Sequence, residues 1–262
     1  MNTGLQNKVA LITGASKGIG KATALLLAEE GVRLALCARD DRLLKQTADE
    51  IQNKTHADII ALKANTTKLN DIRRFVNATV KKYSRIDLLI NNAGGAHIGG
   101  IQSIADEEWE YHIQLKLLGY IRMAREVLPH MKKSGGGCII NIVGMAAKEP
   151  RNFYMLPGVT NAALLNFTKS LSKELKNDNI RVVSVNPTTT DTPLTEQTFK
   201  SLATLSNKTP EEIRQTVEAS FPQGRLLAAV DVAKVVVFLA SDAAQFVNGI
   251  SINLDAGTSA GV

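Results

Sequence analysis

Cysteine is nearly missing from this chain: among 262 residues only Cys37 and Cys138 carry a thiol, and both sit inside apolar, strand-like runs. That excludes a disulfide framework and a thiolate metal site, and each thiol reads as a small hydrophobe. Aromatic residues are scarce at 5%, with one tryptophan, so the core has to be aliphatic. No apolar run approaches the ~18 residues of a membrane span. Residues 1–6 lack a basic stretch followed by an apolar one, so no leader is expected and the cytoplasm is the expected location. Neither sign of charge dominates. The 31 basic and 25 acidic residues leave +6, with the Lys and Arg scattered rather than gathered into a stripe, which argues against a nucleic-acid partner.

What is present is 44% hydrophobic and 21% charged, the balance of a globular chain with a large core. Short β-branched and aliphatic runs recur at residues 8–13, 32–37, 58–63, 86–90, 137–143, 180–186 and 250–254. Between them lie helical patterns at 18–30, 41–54, 69–83, 106–133, 157–177 and 229–241. Continuous apolar strands alternating with amphipathic helices predict an α/β fold, a doubly wound seven-stranded parallel sheet in a single domain over residues 1–262. One irregular stretch, 188–227, holds two short helical patches near 194–205 and 210–219. A connection that long inside one domain is expected to be a substrate lid.

Directly after the first strand comes Thr13-Gly14-Ala15-Ser16-Lys17-Gly18-Ile19-Gly20, opening a helix. In such a turn Gly14 permits the tight bend, Gly18 lets the backbone approach a pyrophosphate, and Gly20 allows the helix to pack closely on the strand. The helix N-terminus adds free N–H groups and a positive dipole end. At the end of the second strand, where an NAD site places a carboxylate on the ribose 2′-hydroxyl, this chain has Ala38 and then Arg39, with Lys17 nearby in the turn. Positive charge there suits a 2′-phosphate, so NADP(H) is the expected cofactor.

The glycine turn, Asn91-Asn92-Ala93-Gly94, Val185-Asn186-Pro187 and a tail containing Gly224-Arg225-Leu226 and Asn253-Leu254-Asp255-Ala256-Gly257 together resemble the short-chain dehydrogenase/reductase family, near its 3-oxoacyl carrier-protein reductase branch. The resemblance runs over essentially the whole chain. It implies a Rossmann-like fold, a nicotinamide cofactor, a homodimer or homotetramer paired through the long helices at 106–133 and 157–177, and a small-molecule substrate. It also implies cofactor contacts from Asn92, Ala93, Gly94, Pro187, Thr190 and Thr192. Asn65 stands where the family has an Asp beside the adenine.

The family's catalytic tetrad is Asn, Ser, Tyr and Lys, the last two spaced Tyr-x-x-x-Lys, and no such spacing occurs here. Matched on flanking residues, Lys116 falls at the Asn, Gly144 at the Ser, Pro157 at the Tyr and Asn161 at the Lys. Asn and Lys are thus exchanged across the family's site. Two readings remain open. In one, Tyr154, three residues before the lost Tyr, donates the proton and Lys116 tunes it, with Asn161 opposite. In the other, Lys116 forms a structural salt bridge and Tyr154 fills the loop. Lys148, His97 and Met155 are expected on loops facing the cleft, as surface rather than catalyst. No metal site is expected. The whole chain then reads as an NADP(H)-dependent oxidoreductase of a carbonyl or alcohol on a small to medium apolar substrate, or alternatively as a catalytically silent NADP(H)-binding sensor or subunit.

Overall fold

Strands form where the apolar runs predict them. The computed structural model describes residues 3–260. Its strands are β1 (Val9–Thr13), β2 (Arg33–Ala38), β3 (Ile59–Lys63), β4 (Leu88–Asn91), β5 (Gly137–Ile142), β6 (Ile180–Pro187), β7 (Thr190–Asp191), β8 (Leu227–Ala228) and β9 (Ser251–Leu254). All except β7 and β8 join one parallel sheet in the order β3-β2-β1-β4-β5-β6-β9. The helices are α1 (Gly18–Glu29), α2 (Asp41–Thr55), α3 (Leu69–Tyr83), α4 (Asp106–His112), α5 (Gly119–Lys133), α6 (Met155–Glu174), α7 (Pro193–Leu205), α8 (Pro210–Ala219) and α9 (Ala229–Ala240).

The pleat explains why both parities of each strand are apolar. Ala10 and Ile12 of β1 pack toward Leu27, Leu44, Ile51 and Val236 of α1, α2 and α9. Val9 and Leu11 point the other way, into a second cluster with Phe75, Val127 and Met131 of α3 and α5. Fully burying each such side chain contributes about 1.5–3 kcal/mol, so these two clusters dominate stability. Capping is secondary at about 1 kcal/mol, as where Asp40 accepts from the Leu43 N–H at 3.0 Å and starts α2. Cys37 and Cys138 are buried in these clusters, and burial pushes their thiols up to about 12 and about 11.

Three features depart from the sequence pattern. The single helix expected over 106–133 is divided by a π-helical turn, Ile113–Leu118, which inserts a residue between α4 and α5. A continuous apolar stripe does not reveal such an insertion. Helix α6 starts at Met155, two residues before the expected Pro157, because a proline in the first turn removes only an N–H that has no intrahelical partner. Within 188–227 the two-residue strands β7 and β8 pair in parallel, joining the two ends of the stretch that carries α7 and α8. A small separate core of Phe199, Ile213, Phe221 and Leu226 holds those helices together. Among the described residues no helix is long and apolar enough to cross a membrane.

Candidate active site

Strand order places β1 between β2 and β4, so the crossovers leave β1 in opposite directions and a crevice opens at the carboxyl ends of β1 and β4. The glycine turn occupies that crevice. Gly14 and Gly18 have φ of +65° and +56°, a region that penalises any side chain. The turn is tied to the residues after β4. Asn92 Nδ2 donates to the carbonyls of Thr13 and Gly14, and the Thr13 hydroxyl accepts from the N–H groups of Asn92 and Ala93, all at 3.0 Å. Gly20 lies behind the turn, where a Cβ would stand 2.6 Å from Asn92 Nδ2, so its role is close packing.

From this turn a cleft of about 930 Å³ runs to α7 and α8. Of the residues expected to hold cofactor, Gly14, Ser16, Lys17, Gly18, Ile19, Arg39, Asn92, Ala93, Gly94, Pro187, Thr190 and Thr192 line it. Asn65 does not: the wall there is Ala64 and Thr66. Its Oδ1 accepts from the Thr67 N–H at 3.1 Å and its own N–H donates to Asp71, so the side chain serves the turn before α3. Arg39 donates to the Tyr111 hydroxyl, bringing its guanidinium over from the end of β2. Asp40 also lines this end, but its carboxylate is the α2 cap.

Lys116, Tyr154 and Asn161 line the same cleft, with Gly144 and Pro157. The π-helical turn buries Lys116, and its Nζ donates to the Val143 carbonyl at 2.6 Å. No carboxylate pairs with it among the described residues, so a structural salt bridge is not what holds it. Burial without a counter-charge brings its amine down to about 7. The next residue, Gly144, has φ +122°, and a Cβ there would lie 3.1 Å from Asn161 Nδ2. Lys116 and Asn161 therefore both lie against one backbone segment, Val143–Gly144. Asn161 is buried, and its Oδ1 has no hydrogen-bond partner among the described residues. Tyr154 is half-buried, and burial pushes its phenol up against a smaller opposing effect of Arg151.

His97, Lys148 and Met155, expected to face the cleft, do not line it. His97 instead pairs with Glu108 at 3.1 Å, and Met155 points outward. His112, which the sequence did not single out, lies behind the cleft wall rather than lining it. It is buried one helical turn before Lys116, with Nε2 3.0 Å from the Gly95 carbonyl and Nδ1 3.3 Å from the Thr160 hydroxyl. A carbonyl only accepts, so Nε2 carries the proton. Desolvation, aided by the Lys116 charge, brings its pKa down to about 4 and keeps the ring neutral. The four-residue spacing from Lys116 was the available signal. Among the described residues no cluster of ligating side chains could hold a metal.

The model of the family described as short chain dehydrogenase matches residues 8–203. The 3-oxoacyl-acyl-carrier-protein reductase FabG of Thermotoga maritima is 36% identical over 97% of this chain and 98% of its own length. L-sorbose reductase from Gluconobacter frateurii, solved with NADPH and L-sorbose, superposes with a TM-score of 0.94 at 31% identity over all of both chains. Actinorhodin polyketide ketoreductase, solved with NADPH, gives 0.93 at 29% identity over 96% of this chain and 97% of its own. With a family model matching three quarters of its length and a relative 36% identical over nearly all of it, the chain belongs to the short chain dehydrogenase family.

Proposed function

We propose that the protein is an oxidoreductase that uses NADP(H) and acts on a carbonyl or alcohol of a small to medium, largely apolar substrate, with residues 188–227 as its lid. The observation that carries the reading is one continuous cleft joining the glycine turn, Lys17 and Arg39 at one end to Lys116 and Asn161 at the other. The residues fit the cofactor. A Cβ at Gly14 would come within 2.9 Å of Ala93 Cα, so the turn exists only as bare backbone that a pyrophosphate can approach. Arg39 and Lys17 suit a 2′-phosphate, and the reductases solved with NADPH share the fold.

When bound, the nicotinamide supplies or accepts the hydride. The chain's own side chains handle the proton. We assign the proton to Lys116 and a hydrogen-bonding role to Tyr154, where the sequence suggested the opposite division. The charge acting on Tyr154 is that of Arg151, not Lys116, and burial keeps the phenol protonated. Lys116, with an amine near 7, can release a proton to a substrate oxygen and recover it at neutral pH. Tyr154 then donates a hydrogen bond to that oxygen, and Asn161 positions the group from the α6 side. The Val143 carbonyl fixes the Lys116 amine between turnovers.

The test is NADPH oxidation by the purified protein over ketones, diketones, quinones and acyl thioesters, beside NADH and beside Lys116→Ala. Turnover should favour NADPH, and the variant should lose about 100- to 10,000-fold, the usual contribution of a positioned proton donor. Turnover unaffected by Lys116→Ala removes Lys116 from the mechanism. A protein that binds NADPH and turns over none of these carbonyls is instead the silent sensor or subunit.

A further inference from the structure

In the substrate half of the cleft Arg151 is the one permanently charged lining side chain, and no carboxylate lines that half. Beyond the glycine turn the basic lining side chains are Lys116 and Arg151, and the one lining carboxylate, Asp40, is engaged at the β2 end. Arg151 lies on the loop before α6. Its Nη1 and Nη2 donate to the hydroxyls of Thr189 and Thr188, at 3.3 Å each, which holds the guanidinium against the base of the lid. A guanidinium has five N–H donors, so three remain for a ligand, and no carboxylate pairs with Arg151 among the described residues. The N-terminus of α6 begins at the same place. Its N-cap, Tyr154, makes no side-chain cap, and Tyr154, Pro157 and Asn161 from its first turns line the cleft, so the positive end of the helix dipole adds to the Arg151 charge. From α7 and α8 the cleft is lined by the apolar Leu194, Phe199, Leu202 and Val217, with Thr195, Gln197 and Thr198 between them.

A cationic fork beside apolar lining side chains matches one kind of molecule. We propose that the substrate is an amphiphilic carbonyl compound whose apolar body lies against the lid and whose carboxylate is bound by Arg151. The planar fork favours carboxylate because it accepts two parallel N–H bonds. Lys116, deeper in the cleft, is left for the carbonyl oxygen. The proposal rests on the oxidoreductase reading for the carbonyl but not for the anion, so binding tests it apart from turnover.

Octanoate, octanamide and octyl phosphate would be titrated calorimetrically into the protein with and without saturating NADP+, and into Arg151→Gln and Arg151→Lys. Octanoate should bind roughly tenfold more tightly than the isosteric amide. Arg151→Gln should erase that difference while leaving amide and NADP+ binding unchanged, and Arg151→Lys should keep part of it, since charge remains and the fork is lost. Equal binding of acid and amide, a preference that survives Arg151→Gln, or no binding of either overturns the proposal. Tighter binding of octyl phosphate than of octanoate overturns the carboxylate assignment. Failure of NADP+ to bind while octanoate still shows its Arg151 dependence would strike the cofactor reading alone.

Discussion

At the scale of single residues, burial rather than pairing sets the chemistry. Lys116 has no counter-ion, so folding favours its neutral form and its pKa drops from 10.5 to about 7. Between those values the unfolded chain binds a proton that the folded chain does not, so stability rises with pH there, and below 7 the penalty is constant. The two thiols act in the opposite sense, because Cys37 and Cys138 are raised above 9.0 and cost stability only once pH passes that value. The clean window is pH 7 to 8.5. Urea unfolding across it should show the wild type gaining about 1.5 kcal/mol relative to Lys116→Met. Parallel curves for the two proteins would mean that Lys116 keeps its charge when folded. Gly144 belongs to the same scale. Its φ of +122° is closed to a serine side chain, so the serine expected there from the family could not be restored without turning the backbone.

At the scale of elements, the proposed lid is held by charge as well as by its small core. Arg214 on α8 reaches Asp191 of β7 at 3.1 Å, Glu196 of α7 at 2.5 Å and Glu218 of its own helix at 3.0 Å, linking three elements with one side chain. Each exposed pair contributes only about 0–1 kcal/mol, and the two main cores do not involve them. Arg214→Ala should therefore leave the global melting temperature within a few degrees while speeding limited proteolysis in the 206–209 connection several-fold. Unchanged cleavage would assign the lid's closure to Phe199 and Ile213 instead. Elements were also what the sequence showed best and worst. Long apolar runs such as those of β1 and β5 announce themselves because both faces are buried, and the glycine turn because its strand, bend and helix follow in order. The π-helical turn at 113–118 was hidden, since one inserted residue changes hydrogen bonding without changing the apolar stripe. Strands β7 and β8 were hidden because two residues carry no periodicity. Arg151 was placed only by the fold, as a loop side chain answers to the segment it meets rather than to its neighbours in sequence.

At the scale of the whole molecule, a single copy leaves apolar surface that the sheet does not cover. Phe246 is 94% exposed, and Phe238 and Ile250 are each 43% exposed; all three lie in the stretch from α9 to β9, and β9 is the open edge of the seven-stranded sheet. A sheet edge beside exposed aromatics invites a second copy, and a two-fold that repeats the same patch on itself is the common closed solution. The family resemblance adds a second expected face along α5 and α6, where Val159 is 52% exposed. We therefore expect a homodimer or homotetramer. Sedimentation equilibrium at micromolar concentration should return twice or four times the 28.3 kDa chain mass. Phe246→Asp should shift the distribution toward smaller species by placing a charge in the contact, and it should leave NADPH binding intact because Phe246 does not line the cofactor cleft. A wild type that sediments at 28.3 kDa throughout the micromolar range would refute association. Melting temperature offers an independent reading: an associating wild type should melt higher as protein concentration rises, and Phe246→Asp should flatten that dependence.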